Sequence, residues 1–151
     1  MAYSSKTTQS ERPPTAGKWD DLLAEAIEAR EFAYAPYSNY KVGAALLTSD
    51  GQIYRGCNIE NAAYSPSTCA ERTAIFKAVT EGNHEYEAIA VVTSDGGAPC
   101  GVCRQVMREF APNLTVIIGD LAGNYQVYRL SELLPDSFGP ENLGFEPLRG
   151  R

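Results

Sequence analysis

Apolar side chains recur at helical spacing near the start of the chain. Trp19, Leu22, Leu23, Ala26 and Ile27 form one stripe within residues 18–34, and Arg30 continues the row. Such a stripe predicts an amphipathic helix over 18–34, ended before Pro36 because a proline disfavours helical geometry in the residue ahead of it. The period then changes. Residues 40–48 and 52–57 are rich in Val, Leu, Ile and Tyr and flank Ser49-Asp50-Gly51, which predicts two strands joined in a hairpin. A second helix is predicted over 68–80, closed by Gly82, and a buried strand over 88–93. A third helix is predicted over 101–110, stopped by Pro112. Residues 114–119 and 125–130 form a second hairpin around Ala122-Gly123-Asn124, with one helical turn at 131–134. The order α-β-β-α-β-α-β-β predicts a three-layer α/β/α fold, a mixed five-stranded sheet with helices on both faces.

Length and charge narrow what such a fold can do. At 151 residues the chain suits one domain with a core large enough to need no disulfide staples. Residues 1–16 lack an apolar segment and are expected to be a disordered tail without a secretory signal, ahead of a domain at 17–143 and a C-terminal tail at 144–151. A cytoplasmic location follows as an expectation, and no apolar run is long enough to predict a membrane span. Net charge is −6 with no cluster of Lys or Arg, so a nucleic acid polymer is a poor partner and a small neutral substrate a better one. The four cysteines, Cys57, Cys69, Cys100 and Cys103, are then better read as metal ligands than as a disulfide framework.

Pro99-Cys100-Gly101-Val102-Cys103 places two thiols three residues apart where the third helix begins, on one face. Pro99 suits a first helical turn, where its missing N–H has no partner to lose. Alone, this pair also fits a redox centre or half of a zinc ribbon. The added element is Cys69-Ala70-Glu71 at the start of the second helix. Side chains in a first turn tilt toward the helix N-terminus, so Cys69 and Glu71 can converge beyond that end. Three thiolates leave a fourth tetrahedral position for water, the pattern of a catalytic zinc rather than a closed structural one. Three thiolates and Zn²⁺ sum to −1, and Arg72 is placed to draw off part of that charge; otherwise it is an exposed helical arginine.

With these motifs the chain resembles the cytidine deaminase family, in its short, three-cysteine, homotetrameric branch. The likeness runs from about Asp20 to Leu143 and includes Ala35-Pro36-Tyr37-Ser38-Asn39-Tyr40-Lys41-Val42-Gly43 and Gly56-Cys57-Asn58-Ile59-Glu60-Asn61-Ala62. Its chemistry lies in Cys69-Ala70-Glu71-Arg72 and Pro99-Cys100-Gly101-Val102-Cys103-Arg104-Gln105, a pattern general to zinc deaminases. The resemblance implies hydrolytic deamination of cytidine and deoxycytidine to uridine and deoxyuridine plus ammonia, in pyrimidine salvage. It implies one zinc per subunit, held by Cys69, Cys100 and Cys103, with Glu71 carrying protons to the pyrimidine N3 and to the departing amine. Asn58 and Glu60 are implied to hold the ribose, and Tyr40 to pack against the base where the family often has Phe. Ala70 joins that substrate-binding set. Phe138 resembles an aromatic lent by a neighbouring subunit, giving a homotetramer with shared active sites. Gln105 and Arg72 are implied to support the metal site, and Tyr64 to lie near subunit contacts. The segment 93–98 is shorter than usual for the family and carries Ala98 where Ser is common.

Other readings remain open at this point. A closed site of four cysteines would use Cys57 but leave Glu71, Asn58 and Glu60 without a role, whereas Cys57 otherwise reads as a small buried hydrophobe. A thioredoxin-like pair leaves Cys69 unexplained. A related aminopyrimidine is the alternative substrate, and a zinc-stabilised assembly protein the alternative to an enzyme. His84, the one histidine, sits in a polar connection and reads as an exposed loop residue.

Overall fold

In the computed structural model, which describes residues 17–146, the middle strands show no polar alternation. Strand β1 (Gly43–Thr48) is buried at every position except Leu47, and β3 (Tyr86–Val92) is buried over its last five residues. Strands covered on both faces must read this way. The other elements are α1 (Asp20–Arg30), β2 (Ile53–Cys57), α2 (Ala70–Thr80), α3 (Gly101–Phe110), β4 (Thr115–Gly119), β5 (Tyr125–Arg129) and α4 (Leu130–Leu133), then a 3₁₀ turn at Pro140–Leu143. The strands lie in the order β2-β1-β3-β4-β5; β3 and β4 run parallel and the other neighbours antiparallel. The sheet is therefore mixed and five-stranded.

Successive residues on a strand face opposite ways, and the two cores divide accordingly. On one face Leu22, Leu23 and Ala26 of α1 meet Ala45, Ala88, Ala90, Val92 and Ile117. On the other, Ala70, Ala74 and Ile75 of α2 and Cys103 and Met107 of α3 meet Ala44, Leu46, Ile89, Val91 and Val116. The layers are α/β/α. Gly56 on β2 decides how closely α2 approaches, because a Cβ there would run into the Ala70 carbonyl oxygen and the Ala74 amide nitrogen.

Register brings the loops that matter to one end of the sheet. Gly43, at the start of β1, pairs with Cys57 on one side and Val92 on the other, the last residues of β2 and β3. Val92 also pairs with Gly119, the end of β4. The segments that enter β1 and leave β2 and β3 therefore share an edge.

Several elements start or stop elsewhere than the pattern predicts, and each shift has a bonding reason. The first helix ends at Arg30 rather than running to residue 34, since the Tyr34 amide donates to Asn58 O at 3.0 Å and Glu60 N donates to Tyr34 O at 2.8 Å. The second helix begins at Ala70 instead of Thr68 because Thr68 and Ile59 exchange backbone hydrogen bonds at 2.9 Å each. Strand β1 begins at Gly43, not Tyr40; Asn58 holds residues 40–42 with its side chain. Pro99 lies before Cys100, the N-cap of α3, and so precedes the helix instead of forming its first turn. His84 is half-buried rather than exposed, with its Nδ1 buried and unpartnered. The tail expected at 1–16 and residues 147–151 of the one expected at 144–151 lie outside the described residues. Gly144 closes the 3₁₀ turn in the left-handed conformation (φ 68°).

Candidate metal centre and active site

Helices α2 and α3 both begin with a cysteine at the N-cap. Cys69 (φ −72°, ψ 157°) and Cys100 (φ −66°, ψ 164°) have extended backbones there, and Cys103 sits at the third position of α3. The ligand atoms of Cys69, Cys100 and Cys103 all lie within 4.8 Å of one another, with Cys69 Sγ and Cys100 Sγ 3.9 Å apart. Cys57 is not part of that cluster; it is half-buried on β2, and burial pushes its thiol pKa up. A closed four-cysteine site is thus not what the chain builds.

The surroundings favour negative sulfur. Two helix N-termini point their partial positive charge at the cluster. Arg72 Nη2 donates to Cys69 Sγ at 3.3 Å, and Arg72 Nε is buried with no hydrogen-bond partner. The Cys69 thiol is lowered to about 5, first by its hydrogen bond with Cys103 and also by Arg72, while Cys103 is pushed up by the same bond and by burial. Three clustered soft donors with an adjacent cation fit Zn²⁺, and three ligands leave one tetrahedral position free.

Glu71, two residues past Cys69, is 3 % exposed. Burial raises its carboxyl to about 7. A carboxyl group so deep in a core needs a function or a partner. Ala70 beside it is fully buried.

The remaining candidates gather at the shared sheet edge. Asn58 donates from Nδ2 to Tyr40 O at 2.7 Å and accepts from Val42 N at 2.9 Å, so its amide shapes the entry to β1. Glu60 Oε1 accepts from Tyr37 N at 3.0 Å and Ser38 N at 3.1 Å, and hydrogen bonds from Ser38 hold its pKa below the usual carboxylate range. Both residues lie beyond the end of β2, on either side of Ile59, which bridges to Tyr34 and Thr68. The Tyr40 phenol donates to Asp95 Oδ1 at 2.6 Å. Tyr64 is 72 % exposed at φ 59°, and its ring meets Tyr37 edge-on at 5.9 Å between centroids.

Phe138 and Gln105 stand apart from this group. Gln105 Nε2 donates to Phe138 O at 3.0 Å, so its hydrogen bond goes to the C-terminal segment and not to a thiol. Together with Glu109, Gly139, Leu143 and Phe145 they line a cavity of about 200 Å³. Two residues to which the motifs assign no role also shape the centre. Arg104 donates from Nε to Pro99 O at 2.8 Å and from Nη1 to Leu133 O at 2.7 Å, fixing the turn into Cys100. Asp95 holds Tyr40. Arg104 adjoins Cys103 and could have been suspected; nothing in the sequence pairs Asp95 with Tyr40, 55 positions away.

Comparison with known proteins agrees with this geometry. Residues 18–119 match the family model described as the cytidine and deoxycytidylate deaminase zinc-binding region. The chain is 54 % identical over 125 residues to the cytidine deaminase of Halalkalibacterium halodurans, covering 81 % of this chain and 95 % of that protein. It is 50 % identical over 129 residues to the cytidine deaminase of Sporosarcina psychrophila, covering 83 % and 95 %. The crystal structure of cytidine deaminase from Burkholderia pseudomallei superposes with a TM-score of 0.75 at 52 % identity, over 78 % of this chain and 97 % of that one. A three-thiol cluster at paired helix starts, a buried glutamate beside it and these matches lead to one assignment: the chain belongs to the cytidine deaminase family and is a zinc-dependent enzyme.

Proposed function

We propose that this protein hydrolyses the exocyclic amine of cytidine and deoxycytidine, releasing uridine or deoxyuridine and ammonia, as a step of pyrimidine salvage in the cytoplasm. The observation that carries the reading is the buried Glu71 carboxyl set next to three converging thiols. The catalytic unit is the domain over residues 17–143.

Cys69, Cys100 and Cys103 are the residues that would hold the zinc, which when bound supplies an acidified water and a Lewis acid at the pyrimidine C4. Glu71 takes a proton from the attacking water and delivers it to N3, raising the electrophilicity of C4. It then moves the second proton to the amine, so that ammonia rather than amide ion departs. Arg72 stabilises the thiolates and restrains their charge. Asn58 and Glu60 orient the ribose, the free oxygen of Glu60 accepting from the 3′-hydroxyl. Tyr40 packs on the base, Ala70 lines the floor beside Glu71, and Gln105 supports the C-terminal segment.

Phe138 then reaches the active site of a neighbouring subunit, within a homotetramer. The support is a set of large apolar side chains left in solvent on and beyond α3: Val102, Phe138, Leu143 and Phe145, each more than half exposed. The deciding experiment is a spectrophotometric cytidine-to-uridine assay with zinc measured on the same sample. Turnover scaling with about one zinc per chain is expected. Zinc-replete protein inert toward both nucleosides would overturn the proposal.

A further inference from the structure

Tyr40 is tied down at both ends. Its carbonyl accepts from Asn58 Nδ2 at 2.7 Å and its amide donates to Ser38 Oγ at 3.0 Å, which anchors the backbone to the motif read as ribose-binding. At the far end its phenol donates to Asp95 Oδ1 at 2.6 Å. The same oxygen accepts from Thr93 Oγ1 at 3.0 Å, and Thr93 Oγ1 accepts from Gly97 N at 2.6 Å. Thr93 is only 3 % exposed, so this chain of bonds ends on a fixed hydroxyl in the sheet edge. Donors and acceptors match throughout: one hydroxyl hydrogen per bond and two lone pairs on Oδ1.

The loop 93–98 that carries Asp95 runs directly into Pro99 and Cys100. Gly97 is fitted against the tyrosine: a Cβ there would lie 2.6 Å from the phenol oxygen, while its next neighbours, Asp95 Oδ1 at 3.4 Å and Thr93 Oγ1 at 3.5 Å, would be in ordinary contact. The nearest obstacle to a Cβ at 97 is thus the hydroxyl of Tyr40. Tyr40 itself is 41 % exposed, so packing alone does not hold its ring. A half-exposed aromatic would otherwise sample several rotamers and lose that freedom when substrate binds.

We propose that Asp95 and Gly97 are positioning residues, which latch the Tyr40 ring in its base-facing rotamer and join that wall of the site to the loop carrying Cys100. This rests on the reading of Tyr40 as the residue that packs on the pyrimidine. An aromatic face touches the ground state and the transition state alike, so the latch acts on KM and leaves kcat in place.

The test uses Asp95→Ala, Asp95→Asn, Tyr40→Phe, Gly97→Ala and the Tyr40→Phe/Gly97→Ala pair in the full zinc-loaded protein. Asp95→Ala should raise KM for cytidine about 2- to 10-fold, the range set by one net hydrogen bond, with kcat and zinc content held. Asp95→Asn keeps an acceptor for the phenol and should restore KM toward the wild-type value. In thermal unfolding, Gly97→Ala should lower the melting temperature when Tyr40 is present and much less when Phe stands there. Additive unfolding shifts would show that no latch exists. A coupled unfolding cycle with unchanged KM in Asp95→Ala would show that the bond does not position the ring, overturning the proposal. Should wild-type protein fail to turn over cytidine, the substrate assignment falls while the unfolding cycle still decides the latch.

Discussion

Glu71 is the residue whose chemistry is most exposed to test. It is buried beside the thiol cluster, and burial above all, with the nearby Cys69, raises its carboxyl pKa to about 7. Glu71→Gln preserves shape and hydrogen bonding but cannot carry protons. The variant should fold and keep its zinc, yet lose about 10²–10⁴-fold in kcat or more, because one group serves several transfers. Loss of zinc from this variant would instead move Glu71 into the coordination shell. The cysteines divide just as sharply. Cys100→Ala should empty the site and lower stability, since a bound metal stabilises the state that holds it. Cys57→Ser, outside the cluster, should keep its zinc, and elemental analysis of the two proteins distinguishes them. The thiol cluster was legible because Cys-x-x-Cys is a local pattern, and the proposed role of Glu71 rests on its place two residues after Cys69. Asp95 was not legible, since its meaning comes from Tyr40 on a distant segment.

The site depends on two helix starts being pressed to one sheet edge. Gly56 allows α2 to approach β2 backbone to backbone, and α2 carries both Cys69 and Glu71. Gly56→Ala should therefore push that helix outward, costing about 1–3 kcal/mol by overpacking. Denaturant unfolding should report the loss, and zinc affinity should fall with it; unchanged affinity would mean the helix start tolerates displacement. The elements themselves were largely readable from apolar periodicity, and α3 begins and ends where the pattern places it. The boundaries of α1, β1 and α2 were not. Each is set by partners outside the element: Asn58 and Glu60 pair with Tyr34, Ile59 with Thr68, and the Asn58 side chain with residues 40 and 42.

Across the whole molecule, the C-terminal segment is held to α3 by Arg108, which bonds Ser137 Oγ at 2.8 Å and pairs with Glu141. This sets Phe138 on the surface at 59 % exposure. The proposed sharing of active sites between subunits predicts complementation. Phe138→Ala protein, mixed with Cys100→Ala protein under conditions that exchange subunits, should regain activity as hybrid assemblies unite intact halves. Full activity of wild-type protein in an isolated monomer would contradict shared sites.

Local pattern determined the layers, the helices and strands, and the identity of the thiols and glutamate, because periodicity and ligand spacing are properties of short segments. Tertiary structure decided which of these meet. Pairing of Gly43 with Cys57 and Val92 brings the ends of β2 and β3 beside the start of β1, and only there do Tyr40, Asn58 and Asp95 become neighbours. That convergence is a matter of strand register, in which a shift of one residue would turn every side chain to the opposite face. Register depends on the summed packing of both cores, which no short stretch of the chain contains.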